Sequence, residues 1–236
     1  MNVIPIVALD VADAHAARAL VVLLGDRCNF YKVGLELFSA EGPSMVRWLC
    51  DEGKKVFVDL KLHDIPSTVC GAARSVARLG ASLLTVHASG GAEMVRAAVE
   101  GADEGASGPS CGVLGVTVLT SFDATTVRSA WGREDPLDVE TEVLRLSALV
   151  AIGGGAGVVC SGHEAAAVHG AFGNRLGLLV PGIRLADGAA HDQRRVMTPA
   201  SAAAAGARWI VLGRAVTAAA DPVAAMRQVQ EDGSRV

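Results

Sequence analysis

Asp59, Lys61 and Asp64 put three ionisable groups within six residues, directly after the apolar run Val56-Phe57-Val58. Residues two apart on a strand project to the same side, so Asp59 and Lys61 share one face, with Asp64 supplied by the loop just beyond. Charges at the end of an apolar strand are costly unless they are paired and retained for a purpose. A carboxylate on either side of an ammonium favours its charged form, the state a proton donor needs. One Asp–Lys pair at a strand end is more often a structural ion pair than a catalytic one. Lys32, in the preceding apolar run, extends the set to four alternating charges and argues against that plainer reading. A second group of polar residues, Arg184, Gln193 and Arg214, falls in the last two connections of the chain. Two guanidinium groups and an amide there suit a phosphate.

Eight apolar runs of strand length deliver these residues: 4–10, 30–35, 56–61, 83–87, 113–119, 157–161, 176–180 and 209–212. Segments rich in Ala, Leu and Arg lie between them at 12–24, 43–52, 67–79, 92–103, 137–152, 163–171, 199–205 and 221–230, as expected of helices. Thr198-Pro199 and Asp221-Pro222 read as a cap followed by a first helical turn. Strict alternation of strand and helix predicts an α/β chain folded as a single (β/α)8 TIM barrel, one domain over 1–236. An open doubly wound sheet would be expected to carry a glycine-rich fingerprint after its first strand, whereas here that strand ends in Asp10-Val11-Ala12-Asp13. The connections 121–136 and 184–196 are longer than usual for such units and are candidate lids. In a parallel barrel all strand C-termini open on one face. The residues there are Asp10, Lys32, Asp59 and Lys61, His87, Thr120 and Ser121, Ser161, Pro181 to Arg184, and Gly213-Arg214.

Composition narrows the classes of partner. The 236 residues are 51% hydrophobic, enough for a large core, and 21 basic against 25 acidic residues give a net charge of −4 without a basic stripe for nucleic acid. Five cysteines, Cys28, Cys50, Cys70, Cys111 and Cys160, are scattered singly, which predicts reduced thiols and a cytoplasmic setting. The N-terminus lacks a signal-like pattern and no apolar run reaches the roughly 18 residues of a membrane span, so no membrane association is expected.

Taken together, Asp59-Leu60-Lys61-Leu62-His63-Asp64-Ile65-Pro66, Tyr31-Lys32-Val33-Gly34, Thr85-Val86-His87-Ala88, Val180-Pro181-Gly182-Ile183-Arg184 and Leu212-Gly213-Arg214 resemble the orotidine 5′-phosphate decarboxylase family. The D-x-K-x-x-D core alone fixes only the wider superfamily, and His63-Asp64-Ile65-Pro66 narrows it. The resemblance implies a cytoplasmic homodimer that converts orotidine 5′-phosphate to uridine 5′-phosphate and carbon dioxide, the last step of UMP synthesis, with no metal and no cofactor. By the same resemblance Lys61, Asp59, Asp64 and Lys32 are catalytic. Asp10 and Lys32 hold ribose hydroxyls, Thr120 and Ser121 lie over the pyrimidine beside Pro181, and Arg184, Gln193, Gly213 and Arg214 hold the phosphate. Asp64 and Thr68 reach into the neighbouring subunit's site. Ser67 stands where the family more often has Asn, and either residue caps a helix.

Losing carbon dioxide from C6 of the pyrimidine leaves a carbanion that no carbonyl is placed to delocalise, so the site must stabilise localised charge and deliver a proton. Lys61 is the natural donor, and Asp59 would lie beside the substrate carboxylate. His63 and His87 are read as hydrogen-bonded structural residues. A magnesium-dependent sister enzyme would need a metal-binding carboxylate where Lys32 stands. A metal-dependent epimerase would need paired histidines and aspartates. A non-catalytic nucleotide-binding barrel would have no use for a lysine between two carboxylates.

Overall fold

A computed structural model of the chain describes residues 3–132, 137–185 and 197–233. Its strands are β1 (Ile4–Ala8), β2 (Phe30–Gly34), β3 (Lys55–Leu62), β4 (Leu83–His87), β5 (Gly112–Val116), β6 (Gly157–Val159), β7 (Gly177–Val180) and β8 (Trp209–Leu212). They form a closed barrel in sequence order, every pair parallel, with β8 returning to β1 through Ile4–Trp209 and Val7–Leu212. The expected (β/α)8 barrel is therefore the observed fold.

Helices α1 (Ala14–Leu24), α2 (Leu35–Glu41), α3 (Pro43–Asp51), α4 (Pro66–Ala77), α5 (Gly91–Gly105), α6 (Ala124–Trp131), α7 (Val139–Ile152), α8 (Gly162–Phe172), α9 (Pro199–Ala204), α10 (Arg214–Thr217) and α11 (Pro222–Gly233) fill the connections. Several begin on side-chain caps. Asp13 accepts from the Ala16 N–H, Asp138 from Thr141 and Ser161 from His163, satisfying donors that a helix start leaves open. The two Pro-marked starts are present as well, with a capping box at Thr198 and Asp221 accepting from Val223 and Ala224.

Strand parity divides the core into two compartments. Val56 and Val58 of β3 pack outward with Leu84 and Val86 of β4 against the helices. Phe57 and Leu83 point inward and join Ile6, Phe30, Leu114, Leu179 and Trp209 in an apolar plug inside the barrel. The next inward positions are Asp59 on β3 and Thr85 on β4, so the polar layer sits on top of the plug.

Three helices go beyond the sequence reading. α2 follows β2 without a break. α6 lies inside the long connection read as a lid, where Asp123 caps it by accepting from the Thr126 N–H at 2.8 Å. α10 is a short turn immediately after β8. The first strand stops at Ala8 and the fifth at Val116, which leaves Asp10 and Thr120 on loops. All five cysteines are free thiols. No helix among the described residues is long and apolar enough to cross a membrane.

Helices α4 and α5 approach closely because glycines line the contact. A Cβ on Gly101 would collide with the Cys70 carbonyl oxygen, and one on Gly105 with that of Arg74. Alanine is the better helix former by about 1 kcal/mol, but a backbone collision outweighs that gain. Gly101→Ala is expected to destabilise the fold by about 1–3 kcal/mol, read in chemical or thermal unfolding, and an unchanged or raised Tm would contradict this packing.

Candidate active site

The C-terminal mouth of the barrel holds a cavity of about 370 Å³, within the range of small-molecule sites. Its floor is apolar, formed by Phe57, Val116, Val159, Leu179 and Val211, and its rim carries Asp10, Lys32, Asp59, Lys61, Thr120, Pro181, Arg184, Gly213 and Arg214. Residues from seven of the eight strands and the loops that follow them thus meet in one place.

Asp59 is the hub of the charged side. Its Oδ2 accepts from Lys61 Nζ at 2.9 Å and lies 3.7 Å from Lys32 Nζ, and its Oδ1 accepts from the Thr85 hydroxyl at 2.9 Å. Lys32 in turn donates to Asp10 Oδ1 at 2.7 Å. The order along the rim is Asp10, Lys32, Asp59, Lys61, with signs alternating throughout. Asp59 and the Lys32 side chain are 13% and 10% exposed, so these pairings act in a medium where water screens them weakly. Glycine at position 34 leaves the room they need, since a Cβ there would lie 2.7 Å from Lys32 Nζ and 3.1 Å from Asp10 Oδ1.

Lys61 and Asp59 do face the same cavity, but not by regular strand alternation. Pairing between β3 and β4 shifts register between Val58 and Leu62. Within that irregularity Lys61 has φ 51°, the one non-glycine residue in the left-handed region among the described residues. That conformation costs an L-residue on the order of 1 kcal/mol or more, and such strain collects at functional positions.

On the opposite side of the cavity Arg184 is 8% exposed, and its Nη1 donates to the Ile183 carbonyl at 3.0 Å. Its Nε and Nη2 are buried with no hydrogen-bond partner among the described residues. Buried donors left unpaired are costly, so this guanidinium is set to receive an anion.

Other expected residues stand elsewhere. Asp64 is exposed, outside the cavity, and its Oδ1 accepts from the Ile65 N–H at 2.6 Å, so among the described residues of one chain Asp59 is the carboxylate that pairs with the Lys61 ammonium. Thr68 in the first turn of α4 and Ser121 beyond Thr120 do not line the cavity. Gln193 lies outside the described residues. The sequence reading missed Thr85 and Thr217. Thr85 is the one hydroxyl of β4, at an inward position above Leu83, and that parity is a usable signal. Thr217 arrives on α10, a turn too short to leave a periodic pattern. Among the described residues no three His, Cys, Asp or Glu side chains are grouped to hold a metal ion.

This arrangement can be compared with known proteins. Residues 4–229 match the model of the family described as orotidine 5′-phosphate decarboxylase / HUMPS. The chain belongs to that family. An orotidine 5′-phosphate decarboxylase from Anaeromyxobacter dehalogenans is 53% identical over 222 residues, covering 94% of each chain. One from Moorella thermoacetica is 46% identical over 227 residues, covering 95% of this chain and 89% of that one. The crystal structure of orotidine 5′-phosphate decarboxylase from Lactobacillus acidophilus superposes with a TM-score of 0.88 at 35% identity, over 99% of this chain and all of that one.

Beside the charged cluster sit two histidines, His63 and His87, with ring centroids 5.5 Å apart and planes tilted by 40°. Burial, then the neighbouring His63 and Lys61, hold His87 below the usual histidine pKa, while Asp59 acts weakly the other way. A depressed basic pKa means that the unfolded chain binds the proton more readily. His87 therefore withdraws stability as pH falls through the unfolded value near 6.5 toward the lower folded one. In urea melts at pH 7.5 and pH 5.5, His87→Gln is expected to lose less stability on acidification than the parent. Equal losses would show that His87 is not held neutral.

Proposed function

We propose that the chain, acting as one barrel domain over 1–236, decarboxylates orotidine 5′-phosphate to uridine 5′-phosphate with Lys61 as the proton donor. The observation that carries this reading is the Asp59 hub, a largely buried carboxylate between two ammonium groups at the edge of an apolar floor. The bond between C6 and the carboxylate breaks, carbon dioxide leaves, and the electron pair stays on C6. Lys61 Nζ then gives a proton to C6 and regains one from solvent. Asp59 keeps the ammonium aimed until that moment, and it opposes the substrate carboxylate, whose departure relieves the repulsion.

Binding falls into two parts. Asp10 and Lys32 take the ribose hydroxyls from their shared hydrogen bond, and Thr120, Ser121 and Pro181 border the pyrimidine. Arg184, Gln193, Gly213 and Arg214 take the phosphate, where two donors of Arg184 that have no partner among the described residues support an anion. Phosphate contacts lie far from C6, so their energy serves orientation and closure. The two ammonium groups on Asp59 already neutralise the carboxylate a divalent ion would need, which supports chemistry without metal or cofactor.

A homodimer completes the site in this reading, and the enzyme works in the cytoplasm. Asp64 is exposed and turned from its own cavity, and the large apolar residues Ile65, next to it, and Leu35, directly after β2, are 64% and 56% exposed. An apolar surface around an unused carboxylate suits a second copy whose Lys61 Asp64 would reach, with Thr68 alongside.

Two expected outcomes test the reading. Purified protein in excess chelator should consume orotidine 5′-phosphate, followed by its ultraviolet absorbance, and Lys61→Ala should be slower by several orders of magnitude. Activity only with added Mg²⁺, or near-normal turnover by Lys61→Ala, would overturn the mechanism. Mixing inactive Lys61→Ala with inactive Asp64→Asn should restore about a quarter of parental activity, because half of randomly mixed dimers carry one intact site. Failure to restore any would return Asp64 to its own chain's site.

A further inference from the structure

We propose that Thr85 is a positioning residue for this reaction, a strut whose hydroxyl fixes Asp59 and the Lys61 backbone at once. The inference rests on the decarboxylase reading for its kinetic meaning and on the geometry around β4 for its substance. Thr85 is fully buried and does not line the cavity, so it touches no ligand. Its Oγ1 accepts from the Lys61 N–H at 2.9 Å and donates to Asp59 Oδ1 at 2.9 Å.

The direction of these two bonds is forced. A backbone amide can only donate, so it occupies an acceptor position of the hydroxyl, and the single hydroxyl proton is left for Asp59. Asp59 is thereby gripped from both sides, with Oδ1 held by Thr85 from behind the rim and Oδ2 by Lys61 from within the cavity. The same atom ties down Lys61 where its backbone is least comfortable, at φ 51° in the register shift between β3 and β4. Regular strand pairing is interrupted there, so the amide takes a side chain as partner. Without the hydroxyl, Lys61 N–H and Asp59 Oδ1 would both be left unpaired in a poorly solvated place. The bulge would be free to relax, and Nζ would lose its fixed distance from the reacting carbon. Misplacement of that kind affects turnover more than affinity, because phosphate and ribose are held elsewhere.

Thr85→Val keeps the shape of the side chain and removes only the hydroxyl. It is expected to lower kcat by on the order of 10- to 100-fold while KM and the dissociation constant of uridine 5′-phosphate stay within about threefold. Thr85→Ser restores the hydroxyl and should recover kcat to within about threefold of the parent. Thr117→Val is the control. Thr117 is also buried, but its hydroxyl donates to the Val159 carbonyl at 2.9 Å, so its loss should lower Tm and spare kcat. Should Thr85→Val fail to fold, Thr85→Ala removes the hydroxyl without bulk and serves the same comparison. Parental kcat in Thr85→Val, equal losses in Thr85→Val and Thr85→Ser, or equal losses in Thr85→Val and Thr117→Val would each overturn the proposal. If the parent itself does not turn over, the decarboxylase reading fails and the strut is judged by hydrogen exchange. Faster exchange of the Lys61 amide in Thr85→Val than in the parent then supports it, and unchanged exchange overturns it.

Discussion

A largely buried carboxylate is tolerable only if its charge is answered, and the mouth of this barrel is arranged around answering that of Asp59. Two ammonium groups and one hydroxyl converge on its oxygens within 3.7 Å. No single segment could supply them. Lys32 comes from β2, Lys61 from the end of β3 and Thr85 from β4, and parallel pairing of three consecutive strands brings them together. The barrel contributes a fixed distance between strand ends, and the apolar plug beneath keeps that distance from adjusting. Electrostatic catalysis needs such rigidity, because dipoles and charges that must reorganise during a reaction lose much of their effect.

The two sides of the cavity meet the cost of burying polar groups differently. On the Asp59 side nearly every partner is internal, so the cluster is assembled before any ligand arrives. On the Arg184 side two donors have no partner among the described residues. A rigid reactive centre opposite an unsatisfied anchor fits a substrate whose phosphate supplies binding while its distant ring undergoes the chemistry.

Much of the barrel could be read from the sequence, because strands buried on both faces must be apolar throughout and the helices between them must alternate with them. The exceptions are informative. α2 begins at Leu35 straight after Gly34 with no side-chain cap, and α10 is four residues long, so neither leaves a periodic signal. α6 hid in a connection whose length suggested a loop, although Asp123 is a capping residue in plain view. At the site, Asp59, Lys61 and Lys32 were legible because charge in an apolar strand demands explanation. Thr85 offered only its inward parity, since a threonine in a strand is ordinary and three-dimensional pairing shows where its hydroxyl goes. The turning of Asp64 away from Lys61 within one chain could not be read from spacing, and only the family resemblance implied that its loop reaches a neighbouring copy.

The backbone at Lys61 carries a consequence for how this chain can change over generations. Glycine would settle into φ 51° without strain but brings no amine, and a lysine on a relaxed strand would point its amine elsewhere. The position is caught between comfort and chemistry. With Lys61 as the proton donor proposed above, neutral drift could not smooth the local conformation one substitution at a time without passing through an inactive protein. The discomfort at residue 61 therefore acts as a ratchet, holding the sequence around it in place for as long as the activity is needed.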